Sequence, residues 1–178
     1  MKSLFLMMFL SAATAASAGS LSVESPEMAT GALAPAQFAD MFGCSGDNVS
    51  PEVRWSGAPE GTESFVVTIY DPDAPTGSGF WHWVVADIPA GVDSLPAGAG
   101  SDPAKLPKGA LAARNDAGVS GFLGACPPPG SKHRYILTVK ALKTAKLGVP
   151  ANATPAMIGF VSNMVKLDEA SIVATGAR

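Results

Sequence analysis

After the first twenty residues, apolar positions come in short continuous or alternating runs, each closed by Pro, Gly, Ser or Asp. That pattern predicts strands. Ser64 to Tyr70 (SFVVTIY) carries the strongest signal, being rich in β-branched and aromatic side chains that suit a pleated, half-buried surface. Trp81 to Ile88 and Arg134 to Leu142 (RYILTVKAL) predict two more strands, and Glu52 to Trp55 a short one. Ser20 to Glu24 and Ser171 to Thr175 are candidate strands nearer the two ends. Between Pro89 and Pro129, clusters of Pro, Gly and Asn-Asp predict loop. The period changes once. Thr154 can cap a helix and Pro155 suits its first turn, after which Met157, Val161, Met164 and Val165 recur at helical spacing with Ile158 beside them. That stripe reads as core. Many strands and one late helix predict a mainly β fold, two antiparallel sheets packed face to face with a peripheral helix near the C-terminus.

Alternation also says where polar residues stand. Phe65, Val67, Ile69 and Asp71 share one face of their strand, so Asp71 ends an apolar face. If the next strand is regular, Phe80, His82 and Val84 share one face and Trp81, Trp83 and Val85 the other. In the third, His133, Tyr135, Leu137 and Val139 line up. Each polar residue sits where a strand's apolar face meets a loop, and pockets with apolar walls and few convergent polar groups are built that way. Asp73 lies in a turn stiffened by Pro72 and Pro75, with Gly77 and Gly79 leading into the next strand. GACPPPGSKHRY repeats the logic before His133. Both histidines of the chain thus follow Pro/Gly loops, and a binding role competes with the plainer reading of core histidines and a turn-forming aspartate.

Composition narrows the class. The first residues, MKSLFLMMFLSAATAASAGS, hold Lys2, the apolar run Leu4 to Leu10 and the A-x-A site Ala16-Ser17-Ala18. This is the pattern of a secretory signal peptide, residues 1–18, cleaved after Ala18, and the run is too short to span a membrane. The remaining residues, 19–178, are about 160 in number and fit one domain with a sizeable core. The expected location is the periplasm or the exterior. A net charge of −3 and the lack of any basic stripe argue against a nucleic-acid partner, and no second long apolar segment predicts a membrane span. Cys44 and Cys126 are both bound for an oxidising compartment, where an even count favours a disulfide. A reactive thiol, with His133 near Cys126 in sequence, is the competing reading.

With these motifs the chain resembles the phosphatidylethanolamine-binding protein family, in its bacterial Raf-kinase-inhibitor-like branch. The blocks that carry the likeness are DPDAP (Asp71 to Pro75), WHWVV (Trp81 to Val85), the segment Gly130 to Tyr135, CSGDNVSPEVRWSGAPEGTESF (Cys44 to Phe65) and RNDAGVSGFLGACPPPG (Arg114 to Gly130). The resemblance implies two antiparallel sheets and a small anion pocket for phosphate-like headgroups. Carried over by position, it assigns Asp71, Pro75, His82, Cys126, Pro127, His133 and Tyr135 to that pocket. Asp73 joins them from its place in the acid pair, and Gly124 from the glycine-rich segment Gly121 to Cys126, whose backbone N–H groups are expected to add neutral donors. Ala117 stands where related bacterial sequences often carry an aromatic, which implies a wider pocket mouth.

Three classes of function follow. The leading one is an exported, non-enzymatic binding protein for a small anionic ligand, a phosphate, a phosphoethanolamine-like headgroup or a phosphorylated molecule, with no cofactor and no metal. A second is an inhibitor or interaction module acting on another exported or host protein, which the resemblance invites without naming a partner. A third is a hydrolase using the Asp/His cluster. The chain has no G-x-S-x-G elbow and no H-E-x-x-H, the sequence contexts that usually mark such enzymes.

Overall fold

The computed structural model describes residues 20–178, so the expected leader lies outside the described residues. Eight strands and one α-helix follow in the order β1 (Ser22–Glu24), β2 (Val53–Ser56), β3 (Ser64–Asp71), β4 (Phe80–Pro89), β5 (Ser94–Leu95), β6 (Leu111–Ala112), β7 (Lys132–Leu142), α1 (Pro155–Val165) and β8 (Lys166–Ala177). They form a three-stranded sheet, β1-β2-β5, and a five-stranded sheet, β6-β4-β3-β7-β8. Every pairing between these strands is antiparallel. The mainly β, two-sheet expectation with one late helix matches this architecture.

The core lies between the sheets. Val53, Trp55 and Leu95 of the small sheet meet Phe65, Val67, Ile69, Trp83, Val85, Leu137 and Val139 of the large one. Trp55 and Phe65 join the layers with ring centroids 5.3 Å apart. The outer face of the large sheet is apolar too, and Val66, Val84, Ala86 and Leu142 pack there with Ile158 of α1. That is why β3 reads as an almost unbroken apolar run: it is buried on both faces.

Four expectations need correction. β8 is twelve residues long and pairs along the whole of β7, from Lys132 opposite Ala177 to Leu142 opposite Lys166. The stretch from Pro89 to Pro129 holds β5 and β6, two residues each, too short to leave a periodic trace. In α1 the Thr154 hydroxyl accepts the Met157 N–H, as its capping position predicts, but the buried face is rotated. Ile158 and Ser162 are buried and Val161 and Val165 half-buried, whereas Met157 and Met164 are exposed. Ser162 tolerates burial because its hydroxyl donates to the Gly159 carbonyl.

The fourth correction concerns β4, which is not regular. Ile69 lies opposite Trp83 and Tyr70 opposite Trp81, so His82 is an extra residue on β4, a β-bulge. Alternation therefore breaks at His82. Trp83 and Val85 face the inter-sheet core and Trp81 and Val84 the outer layer, while His82 turns inward beside Trp83 instead of sharing a face with Val84.

Candidate functional site

Three neighbouring strands deliver the polar residues to one end of the large sheet. β3 ends in Asp71, the second residue of β7 is His133, two before Tyr135, and the bulge in β4 supplies His82. Asp71, His82, His133 and Tyr135 are 2, 6, 7 and 2 % exposed, so the group is buried almost to the same degree as the core around it. They line a cavity of about 250 Å³ together with Pro75, Gly124 and Cys126.

Asp71 organises the cluster. One carboxylate oxygen, Oδ1, accepts the backbone N–H groups of Asp73 and Ala74 at 2.8 and 3.1 Å, the Asx geometry that starts a turn. The other, Oδ2, lies 2.7 Å from Nδ1 of His133 and 4.0 Å from Nε2 of His82. A carboxylate oxygen accepts, so His133 carries a hydrogen on Nδ1. His82 is oriented by different partners. Its Nδ1 donates to the Leu123 carbonyl at 2.7 Å, and the Leu123 N–H returns a bond to the His82 carbonyl at 2.9 Å. Burial pushes the His82 imidazole below its ordinary pKa, against the bond to Leu123 and the charge of Asp71, which both favour the cation. The ring packs between Phe80, tilted with centroids 4.8 Å apart, and Tyr135, edge-on at 5.2 Å.

The Tyr135 hydroxyl is buried and has no hydrogen-bond partner within the described residues, which is uncommon for a buried phenol. Burial, then the charge of Asp71, pushes its pKa up, so it stays a neutral donor. No Lys or Arg is among the residues that line the cavity. Nor do three His, Cys, Asp or Glu side chains converge as a metal site among the described residues.

Asp73 and Pro127 are not brought to the cavity. Asp73 turns to the surface, where both of its oxygens accept from the Arg134 guanidinium at 2.7 and 2.9 Å and Oδ2 also takes the Arg134 N–H. The hydrogen bonds from Arg134 hold its pKa down to about 2. Odd and even positions of β7 point to opposite sides, so His133 reaches one acidic residue and Arg134 the other. Pro127 is buried outside the lining, and of the three prolines at 127–129 it is Pro128 that reaches the cavity. Ala117 is exposed on a turn away from the mouth, its N–H bonded to Asn115.

Of the expected donors of the glycine-rich segment, those from Gly121 to Ala125 are engaged elsewhere. The N–H groups of Gly121, Phe122, Leu123 and Ala125 bond to the carbonyls of Ala113, Gly100, His82 and Gln37, and that of Gly124 to the Asn48 side chain at 2.7 Å. The segment is a strap that fixes His82, and its backbone offers the cavity no free N–H from Gly121 to Ala125. Gly124 is required because a Cβ there would overlap the backbone of Phe38 and Ala39.

Sequence reasoning missed Phe42, Ala74, Thr76, Phe80, Leu123 and Pro128 as lining residues. Phe80 alone had a signal, since alternation set it on the His82 face. Phe42 is 70 % exposed at the mouth with φ of +57°, a conformation a bulky side chain adopts only where its surroundings impose it. Its loop is tied to the cavity wall by a disulfide between Cys44 and Cys126, whose Cα atoms are 5.8 Å apart. That bond removes the reactive-thiol reading of Cys126.

The chain is similar to known proteins over most of its length. The family model described as phosphatidylethanolamine-binding protein matches residues 24–177. The UPF0098 protein YbcL of Escherichia coli is 52% identical over 160 residues, covering 88% of this chain and 87% of YbcL. The crystal structure of E. coli YbcL, described there as a member of the mammalian PEBP family, aligns with a TM-score of 0.86 at 49% identity, over 90% of this chain and 99% of that one. LppC of Mycobacterium tuberculosis, which is named as a lipoprotein, is 33% identical over 156 residues, 87% of this chain and 71% of LppC.

Proposed function

This chain belongs to the phosphatidylethanolamine-binding protein family, and from that premise we propose that it is an exported binding protein whose cavity holds a small phosphate-like anion. The ligand is the headgroup of a phospholipid or another phosphorylated molecule, and it leaves unchanged. The observation that carries the reading is the convergence of His82, His133 and Tyr135 on one buried cavity around Asp71. The unpartnered Tyr135 hydroxyl suits a phosphoryl oxygen, the two imidazoles are fixed beside it, and apolar walls raise the strength of such bonds by excluding water.

Binding is favoured over catalysis by what has become of the thiol and the hydroxyls at the cavity. Cys126 is bonded to Cys44. The Thr76 hydroxyl donates to the Gly79 carbonyl. The Tyr135 hydroxyl holds its proton more tightly than an ordinary phenol. Export is supported by the leader pattern in residues 1–18, by the disulfide, which persists in oxidising compartments, and by similarity to a protein named as a lipoprotein. Among the described residues no helix is long and apolar enough to cross a membrane.

Calorimetry with inorganic phosphate and phosphoethanolamine tests the reading, comparing the wild type with His133→Ala and Asp73→Ala. Binding is expected in the wild type, to be lost in His133→Ala and retained in Asp73→Ala, whose side chain lies outside the cavity. Equal binding by the wild type and His133→Ala removes this site.

A further inference from the structure

The loop between Ala39 and Gly46 forms one lip of the cavity and is held by few bonds. The Gly46 N–H donates to the Ala39 carbonyl at 2.8 Å and closes its base, and the Cys44 N–H donates to the Met41 carbonyl within it. Phe42 lines the cavity with a left-handed φ, and Gly43 follows with φ of +78°. Among the described residues, two bonds tie the tip of this loop, residues 40–45, to the rest of the protein. One is the Cys44–Cys126 disulfide, and the other runs from the Arg178 guanidinium to the Phe42 carbonyl at 3.4 Å. The other end of the disulfide is firmly placed. Ala125, next to Cys126, donates its N–H to Gln37 and accepts that of Ala39.

The same disulfide is placed for chemistry. It stands between two openings, with Cys126 lining the cavity and Cys44 lining a separate groove of about 240 Å³ beside Phe38, Ser45 and Arg178. Both cysteines are half-buried and not sealed in the core. Nη1 of Arg178 lies 3.6 Å from the Cys44 sulfur and 3.5 Å from that of Cys126. A guanidinium keeps its charge at any ordinary pH and favours a thiolate beside it over a thiol. A sulfur so stabilised leaves a disulfide faster.

We infer that the Cys44–Cys126 bond is a thiol–disulfide exchange site for a dithiol reductant, and that its state sets how firmly the Phe42 loop closes the cavity. One thiolate of the dithiol attacks the Cys44 sulfur from the groove. The sulfur–sulfur bond breaks, and its electron pair leaves on Cys126 as a thiolate beside Arg178. The second thiol of the reductant then displaces Cys44 from the mixed disulfide. The reductant ends as a disulfide, and the protein has gained two electrons and two protons, one proton for each cysteine. Residues 40–45 then keep only the Arg178 bond to Phe42, so Phe42 relaxes out of its left-handed conformation and leaves the lip. The strap stays, because its own backbone bonds do not involve the sulfur. The oxidised protein holds its ligand behind a fixed lip, and the reduced protein, less pre-organised, holds it more weakly.

Control of ligand affinity rests on the anion-binding reading, whereas the exchange reaction and the release of the loop do not, and the test reads them separately. Native protein treated with dithiothreitol, a dithiol, and then alkylated is expected to lose the bond without denaturant while keeping its far-ultraviolet circular dichroism. Arg178→Gln is expected to react roughly threefold or more slowly than Arg178→Lys, which retains a cation. Hydrogen exchange at residues 40–45 should quicken by about tenfold or more on reduction, and that at residues 121–125 should not change. The double variant Cys44→Ser with Cys126→Ser is expected to show the same fast exchange with no dithiol present. A bond that opens only as the protein unfolds, equal rates in the two Arg178 variants, or residues 40–45 that exchange no faster once the bond is open each overturn the inference. Calorimetry with inorganic phosphate then reads the cavity, and the oxidised wild type is expected to bind about tenfold more tightly than the reduced protein or the double variant. Equal affinity in the oxidised and reduced forms overturns the control of the cavity. Phosphate bound by neither form counts against the anion reading, and the exchange site and its loop still stand or fall on the alkylation and hydrogen-exchange results.

Discussion

Asp71 and His133 are 62 residues apart in sequence, yet Oδ2 of the one and Nδ1 of the other lie 2.7 Å apart. The pairing of β3 with β7 brings their strand ends together. The Asx turn fixes the carboxylate, because its second oxygen holds the N–H groups of Asp73 and Ala74 and cannot swing away. The imidazole is therefore held in one tautomer as well as one orientation.

Asp71→Asn tests that tautomer. The amide oxygen can keep the two turn N–H groups, which leaves the amide nitrogen facing His133 Nδ1 as a donor. His133 must then move its hydrogen to Nε2 and becomes a neutral donor toward the cavity. Phosphate binding near pH 8 is expected to stay within about threefold of wild type. Nitrogen chemical shifts of the imidazole would show the change of tautomer directly, and an unchanged tautomer would contradict the role given to Asp71.

His82 should make the fold acid-sensitive. Its unfolded-state pKa is near 6.5, and burial lowers it in the native state. As the pH falls past 6.5 the unfolded chain gains a proton that the native chain refuses, so the native state loses stability. This contribution is complete above that value and declines below it. His82→Phe removes the titration. Melting temperatures of the wild type should therefore fall more steeply than those of the variant between about pH 7 and pH 5. Parallel curves would mean that burial of this ring carries no proton linkage.

These two histidines also show what the sequence can and cannot disclose. β3 and β7 are regular, so period-two alternation placed Asp71, His133 and Tyr135 on inward faces without knowledge of the register. β4 carries an extra residue at His82, and nothing in FWHWVV announces it, so the same rule assigned its neighbours to the wrong faces. Asp73 looked equivalent to Asp71 because the sequence does not show that Arg134 will arrive beside it. The rest of the wall, Phe42, Thr76, Leu123 and Pro128, comes from loops whose paths are fixed by tertiary bonds and by the disulfide, and those leave no periodic pattern to read. In α1 the helix was legible and its orientation was not. Met157 and Met164 satisfy the helical period as well as Ile158 and Ser162 do, and only the sheet it lands on decides between them.

The disulfide ties residues 82 apart and should contribute substantially to stability. Closing a loop of that size removes chain entropy worth roughly 4 kcal/mol on the loop-closure model. Replacing both cysteines, Cys44→Ser with Cys126→Ser, is expected to lower the unfolding free energy by about 2–5 kcal/mol in denaturant titrations. Reduced wild type should behave like the double variant. Denatured but unreduced wild type should show no thiol to an alkylating probe, and two labelled thiols would refute the bond.

Gly124 links the strap to the site, and its replacement should affect both stability and binding. Its N–H is held by Asn48, and a Cβ would run into the backbone of Phe38 and Ala39, so the obstacle is space against main chain. Main chain yields less readily than a flexible side chain, and Gly124→Ala is expected to cost about 1–3 kcal/mol. The strain has one short route to the cavity. Leu123, the next residue back, exchanges two hydrogen bonds with His82, so a displaced strap turns the imidazole and misaims the lone pair at Nε2. Phosphate affinity in Gly124→Ala should fall together with stability. A variant that is destabilised but binds phosphate with unaltered affinity would show that the strap supports the fold without positioning His82.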